Sequence, residues 1–183
     1  ILSMASKYFK TPKTLTTLGL GGVSRLGDLP VVAKSFTSGL TTTNKTLMTT
    51  AVKKESLHPD YPWFLQELIP SKADITIFIC GNNQFAYSRD RSNLKGLDWR
   101  TEQDFNNESK EWFRFDLSEK DSKAVFALSA DLGVDWGRMD FMESDDGMIF
   151  LEFNANGQWV FLDYSGEDKL VKTVATYLIG TGK

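Results

Sequence analysis

Apolar and polar positions change period along the chain, and each change marks an element. Leu29 to Phe36 is mostly apolar and reads as a buried strand whose one charge is Lys34. Trp63 to Ile69, Ala73 to Cys80 and Gln84 to Arg89 are β-rich runs split by Pro70-Ser71-Lys72 and Gly81-Asn82-Asn83, and they predict consecutive antiparallel strands. Helical spacing governs three other stretches. Leu2, Ala5, Ser6 and Phe9 predict an opening helix cut by Thr11-Pro12. Ser118, with Asp121 three residues on, caps a helix whose stripe is Ala124, Val125, Leu128 and Leu132, stopped by Gly133. A last helix runs from about Gly166 to Leu178, with Leu170, Val171, Val174, Tyr177 and Leu178 inward and Gly180 at its end. Gly19 to Gly27 reads as a linker, and the hydroxyl-rich Ser38 to Asn44 as the mobile tip of a hairpin. Strands first, then a helix, a hairpin and a helix, predict an α+β fold.

The segment Arg138 to Trp159 carries the most chemistry. Arg138 to Met142 and Met148 to Asn154 are strands joined across Glu143-Ser144-Asp145-Asp146-Gly147. With Asp145-Asp146-Gly147 as a three-residue loop and Gly147 left-handed, Ser144 faces Met148 and Asp140 falls opposite Glu152. Opposed residues share a face with Cβ atoms about 4.5–5.5 Å apart, and Asn154, two residues beyond Glu152, joins them. Two neighbouring carboxylates require a positive partner. That partner is either a protein cation such as Arg138 or a metal ion, unless the pair is simply solvated on an exposed sheet face. Oxygen donors in this number suit Mg²⁺, which keeps waters and completes its octahedron with substrate phosphates.

Composition narrows the classes. The chain has 183 residues, 21 Lys+Arg against 24 Asp+Glu, and a net charge of −3. Such a balance gives no general field for a nucleic-acid backbone, and no run approaches the roughly 18 apolar residues of a membrane span. Nucleic acid and bilayer are therefore not expected partners. One cysteine, Cys80, and one histidine, His58, exclude a disulfide scaffold and a zinc site of four Cys/His ligands. Without a charged, apolar leader at the first residues, a cytoplasmic location is expected.

At Asp140-Phe141 and Phe150-Leu151-Glu152-Phe153-Asn154-Ala155-Asn156-Gly157-Gln158-Trp159 the sequence resembles the metal-binding end of ATP-grasp ligases. Its Asn-x-Asn-Gly-Gln-Trp ending is most similar to the peptide-maturing members that make microviridins and related graspetides. The resemblance extends in order through Thr11-Pro12-Lys13-Thr14, Val31-Val32-Ala33-Lys34, Leu65-Gln66-Glu67-Leu68-Ile69-Pro70, Ala73-Asp74-Ile75 and Asp98-Trp99-Arg100. It implies an ATP-grasp fold, with residues 1–66 as helix, linker and lid subdomain and 67–183 as catalytic lobe, lacking the N-terminal lobe such ligases carry. It also implies ATP and Mg²⁺ bound between two lobes, and activation of a carboxylate as acyl phosphate for amide or ester formation. The substrate would be a carboxylate on a peptide or protein, such as a ribosomal precursor peptide, and the assembly a homodimer. Alternatives are a small-molecule carboxylate–amine ligase of glutathione-synthetase type and a nucleotide- or partner-binding fragment without chemistry.

The roles implied by the resemblance are specific. Asp140, Glu152 and Asn154 hold Mg²⁺, and Lys34 reaches the ATP phosphates beneath the Ser38 to Asn44 lid. The backbone of Glu67, Leu68 and Ile69 reads the adenine edge, Asp74 is a further nucleotide-site acid, and Asn156 touches phosphate or acceptor. Arg100 and Arg89 act as cations near the transferring phosphoryl group. Many relatives carry Arg at the position of Thr76, so this chain has one cation fewer there. Read without the resemblance, Lys34 snorkels from a strand end, Arg89-Asp90-Arg91 is a solvated charge cluster, and Trp63, Trp112, Trp136 and Trp159 are packing residues. His58 is then an exposed loop residue, and Cys80 a buried small hydrophobe.

Overall fold

The computed structural model describes residues 1–36, 48–94, 96–97, 112–163 and 166–180. They divide into two compact units, drawn from Ile1–Thr11, Ser71–Asn93 and Asp104–Lys183 in one case and from Pro12–Pro70 and Leu94–Gln103 in the other. The opening helix thus groups with the larger unit and Glu67 to Pro70 with the smaller, where the sequence reading drew its division after residue 66. Hydrogen bonds explain the shift. Glu67 N–H donates to Lys13 C=O and Leu68 N–H to Pro30 C=O, which ties both residues to the smaller unit.

The smaller unit is a four-stranded antiparallel sheet in the order β1-β4-β2-β3, formed by β1 (Thr14–Leu18), β2 (Val31–Lys34), β3 (Thr50–Val52) and β4 (Pro62–Glu67). One face packs Leu65, Val31, Ala33 and Val52 against Leu26, on a 3₁₀ turn at Val23–Leu26, and against Leu57. The Gly19 to Gly27 stretch is therefore not a bare linker. Its short turn supplies a core residue. The other face carries Thr14, Gln66, Val32 and Lys34.

The larger unit holds a five-stranded antiparallel sheet, order β7-β6-β5-β8-β9, from β5 (Ala73–Cys80), β6 (Asn83–Asp90), β7 (Phe113–Arg114), β8 (Trp136–Ser144) and β9 (Gly147–Asn154). The run Trp63 to Ile69 does not continue into this sheet as expected. β4 pairs with β1 and β2, because Pro70 ends the ladder and the chain starts a new sheet at Ala73. Ile75, Ile77, Ile79, Met139, Phe141 and Phe150 turn one face toward α2 (Glu119–Leu132), whose Val125 and Leu128 are fully buried. α1 (Leu2–Ala5) adds Ala5, and Phe9 just beyond it packs edge-on to Phe141 at 4.9 Å.

The cap expected at Ser118 is present. Ser118 Oγ accepts from Asp121 N–H at 3.1 Å and donates to its carboxylate at 2.7 Å, and Gly133 closes the helix in the left-handed region. α3 (Leu170–Leu178) starts later than predicted, and only Leu170 and Val174 of its stripe are buried. Val171 is exposed because it lies one position off the 170–174 line, and Leu178, although on that line, is exposed in the last turn of the helix. Among the described residues no helix is long and apolar enough to cross a membrane.

Candidate active site

The face of the five-stranded sheet opposite α2 collects the polar side chains in lateral rows. Arg89, Asp74 and Met142 form one row, Tyr87, Thr76, Asp140 and Glu152 the next, and Phe85, Phe78, Arg138 and Asn154 the third. Asp140 does lie opposite Glu152, but by a different route from the one expected. The hairpin loop is two residues, with Ser144 opposite Gly147, and that register would place Asp140 opposite Leu151. A β-bulge at Leu151 restores the alignment.

The bulge also switches the faces. Before it Met148 and Phe150 point to the core, and after it Phe153 does, so Glu152 and Asn154 come to the polar face. The three-residue step from Phe150 to Phe153 is the sequence signal for this switch, because an unbroken strand would space its core residues by two.

Asp140 is held firmly. Thr76 Oγ1 donates to its Oδ1 at 2.7 Å, Arg138 Nη2 to its Oδ2 at 3.1 Å, and Arg138 Nε lies 3.0 Å from Oδ1. Arg138 Nη1 also donates to the Gln158 carbonyl at 2.8 Å, which draws the segment after β9 back over the sheet. That crossing needs a glycine. A Cβ on Gly157 would sit 2.8 Å from Arg138 Cβ. Asn154 Oδ1 accepts from Asn156 N–H at 3.1 Å, and Glu152 and Asn156 are exposed. Thr76, noted only for the missing cation, thus positions the carboxylate beside it. Arg138 was weighed only as an ion-pair partner. Its place two residues before Asp140 on one strand puts both on one face, a signal available in the sequence.

Asp74 is buried and paired with Arg91, whose Nη1 lies 2.8 Å from both carboxylate oxygens. Burial pushes the Asp74 carboxyl above its ordinary value, against the pull of Arg91 and Arg89 and with a contribution from Asp140. Arg89 is buried too. The Arg89-Asp90-Arg91 stretch is therefore not a solvated cluster: strand alternation exposes Asp90 and turns its two neighbours inward. Below these rows Trp159 stacks on Phe78 at 5.3 Å, and Trp136 meets both rings edge-on, consistent with packing roles. Cys80 is buried and His58 exposed, as the residues alone predicted.

In the smaller unit, Lys34 Nζ donates to Gln66 Oε1 at 3.3 Å, and Gln66 Nε2 donates to Thr14 Oγ1 at 3.1 Å. Lys34 thus lies on the polar face of its sheet, away from the Leu65 core. Its neighbour strand ends in Glu67-Leu68-Ile69. There Lys13 N–H donates to the Glu67 carboxylate at 3.1 Å, and Ile69 N–H has no hydrogen-bond partner among the described residues. Arg100 and the Ser38 to Asn44 lid lie outside the described residues. Among the described residues no three His, Cys, Asp or Glu side chains cluster as a metal site. The Asp140, Glu152 and Asn154 set draws its third oxygen from an amide. This all-oxygen set fits a hard divalent cation such as Mg²⁺.

Two antiparallel sheets with these helices are an ATP-grasp fold. The chain is similar to an RiPP-associated ATP-grasp ligase of Chryseobacterium gregarium, solved in complex with ADP and a leader and core peptide. The TM-score is 0.88 and the identity 25%, over 98% of this chain and 58% of that one. It shares its fold with the macrocyclase MdnC of Microcystis aeruginosa MRC, bound with precursor peptide MdnA, at TM-score 0.76 and 24% identity over 98% and 60% of the two chains. The macrocyclase MdnB of the same organism follows at TM-score 0.69 and 18% identity over 98% and 57%. The chain therefore spans about three fifths of the length of these neighbours. No family model and no curated protein matches the sequence.

Proposed function

We propose that this chain carries the nucleotide- and metal-binding machinery of an ATP-dependent ligase that joins a carboxylate, on a peptide or protein, to an amine or alcohol. The observation that carries the reading is the Asp140–Glu152 pairing, with Asn154 on the same face, in a chain whose fold matches a ligase holding ADP and peptide. Asp140, Glu152 and Asn154 would hold Mg²⁺, which when bound neutralises charge on the nucleotide's phosphates.

The chain's own residues supply the rest. Lys34 places an ammonium at the phosphates. The Glu67 carbonyl and the Ile69 N–H, which has no partner among the described residues, offer the acceptor and donor that the adenine edge requires. Arg89 and Arg100 supply positive charge where the transferring phosphoryl group gains negative charge, and Asn156 offers an amide to phosphate or acceptor. Arg138 and Thr76 fix the Asp140 carboxylate, so its position is set before ligand arrives. In the reaction a substrate carboxylate oxygen attacks the γ-phosphorus, the bond to ADP breaks, and an acyl phosphate forms. An amine or hydroxyl then attacks the acyl carbon, loses its proton to solvent and expels phosphate.

The Arg138–Asp140 pair favours one other reading, a nucleotide-binding fragment in which Arg138 permanently substitutes for the metal. Thermal shift with and without Mg-ATP separates the two. The parent should be stabilised in a Mg²⁺-dependent way, and Asp140→Asn with Glu152→Gln should abolish the shift. An undiminished shift in the double variant sinks the metal assignment. Carboxylate-stimulated phosphate release, if absent despite a Mg²⁺-dependent shift, sinks the ligase reading.

A further inference from the structure

A pocket in the larger unit, of about 390 Å³, opens where the β5–β6 turn meets α3. Cys80 and Asn82 line one side, and Lys169, Lys172, Thr173 and Tyr177 the other. It lies four residues along β5 from Thr76, the partner of Asp140. That is about 13 Å at the rise of a strand, with the Phe78, Trp136 and Trp159 rings between. The volume falls in the range of ligand sites and exceeds the need of a single inorganic anion.

The lining is cationic and unsatisfied. Among the described residues, the Lys169 and Lys172 ammonium groups have no carboxylate partner, and neither the Asn82 amide nor the Thr173 hydroxyl makes a hydrogen bond. The Tyr177 ring stacks on Trp136 at 5.7 Å, and nearby Asp135 pushes the Tyr177 hydroxyl above its ordinary value. Lys169 is also the only described non-glycine residue with positive φ, at 59°. Such a conformation is unfavourable for a residue with a Cβ and persists only where its surroundings impose it. Here the buried Asp163 carboxylate imposes it, accepting from Asp168 N–H at 3.2 Å and Leu170 N–H at 2.9 Å. The lip bearing the two lysines is therefore fixed.

We infer that this pocket binds an acidic stretch of a peptide. Lys169 at the N-cap of α3 and Lys172 in its first turn put two ammonium groups on one lip, which suits two carboxylates. The Asn82 amide can both donate to and accept from a peptide bond, and the Tyr177 ring provides an apolar wall. The identity of that peptide as the ligase's substrate rests on the function proposed above. The binding itself does not.

The test is titration of the whole chain with an acetylated, amidated peptide of four glutamates, followed by NMR shifts of the Asn82 and Thr173 amides. The expected result is saturable binding that is lost with the four-glutamine peptide. It should weaken about tenfold or more in Lys169→Asn with Lys172→Gln, where asparagine tolerates the left-handed backbone. Equal affinity in the double variant, or displacement by inorganic phosphate at comparable concentration, overturns the inference. Peptide binding without ATP turnover would overturn the ligase reading and leave this one standing.

Discussion

Arg138 and Asp140, two residues apart on β8, form a partly buried ion pair through Nε and Nη2, and Thr76 completes the grip from β5. A cation already sits beside the carboxylate proposed to hold a metal. Removing it tests how much the fold depends on it. Arg138→Met should lower stability to denaturant by about 1.5–3 kcal/mol, the range for hydrogen bonds to charged groups, and Thr76→Val by about 1 kcal/mol. Unchanged midpoints would mean that solvent compensates Asp140 fully and that the pair is incidental.

Asp74 predicts a pH dependence. Its carboxyl lies above the ordinary 3.8 in the folded state because burial disfavours the anion. The folded state therefore binds the proton more tightly than the unfolded one. The contribution is fully present below the unfolded value and is lost as pH rises through the folded value. Carboxyl NMR should show Asp74 titrating above 3.8, and Arg91→Gln should raise it further by removing the guanidinium that opposes burial. A titration below 3.8 in the parent would reverse the assigned balance.

Lys34→Ala should weaken ATP binding by about 1.5–3 kcal/mol, the cost of a charge-assisted hydrogen bond, as read by isothermal titration. Unchanged affinity would return Lys34 to a strand-end residue bonded to Gln66.

Gly157→Ala should disturb Arg138 specifically. The added methyl would meet Arg138 Cβ at 2.8 Å, so either the segment after β9 or the β8 backbone must move. The expected readout is a lower melting temperature together with a reduced Mg-ATP shift. A variant that melts like the parent and still shifts would show that the crossing is loose.

Ser118→Ala should cost about 1 kcal/mol through loss of the cap on α2. The loss should appear in denaturant unfolding without any change in nucleotide affinity, because α2 packs on the face opposite Asp140.

Much of this was legible in the sequence, and the reasons differ by element. β5 was readable residue for residue because its apolar run is interrupted only at Asp74 and Thr76 and is bounded by Lys72 and Gly81. α2 was readable because Ser118 and Gly133 are chemical stops. β1 and β3 were not seen, since Thr14-Leu15-Thr16-Thr17 and Thr50-Ala51-Val52 are short, hydroxyl-rich edge strands whose pairing comes from distant residues. The separation of β4 from β5 was hidden because a run of β-formers does not reveal which sheet it joins. At the site, the pairing of Asp140 with Glu152 is legible in the hairpin register, whereas the burial of Arg91 is not, because its partner, Asp74, stands seventeen residues away on the adjacent strand.

The extra residue at Leu151 puts the two ends of the last ribbon out of phase with each other. Deleting it would restore plain alternation, with Phe150 and Phe153 inward and Glu152 and Asn154 outward, so the acidic pair would keep its partners and only the local bend would be lost.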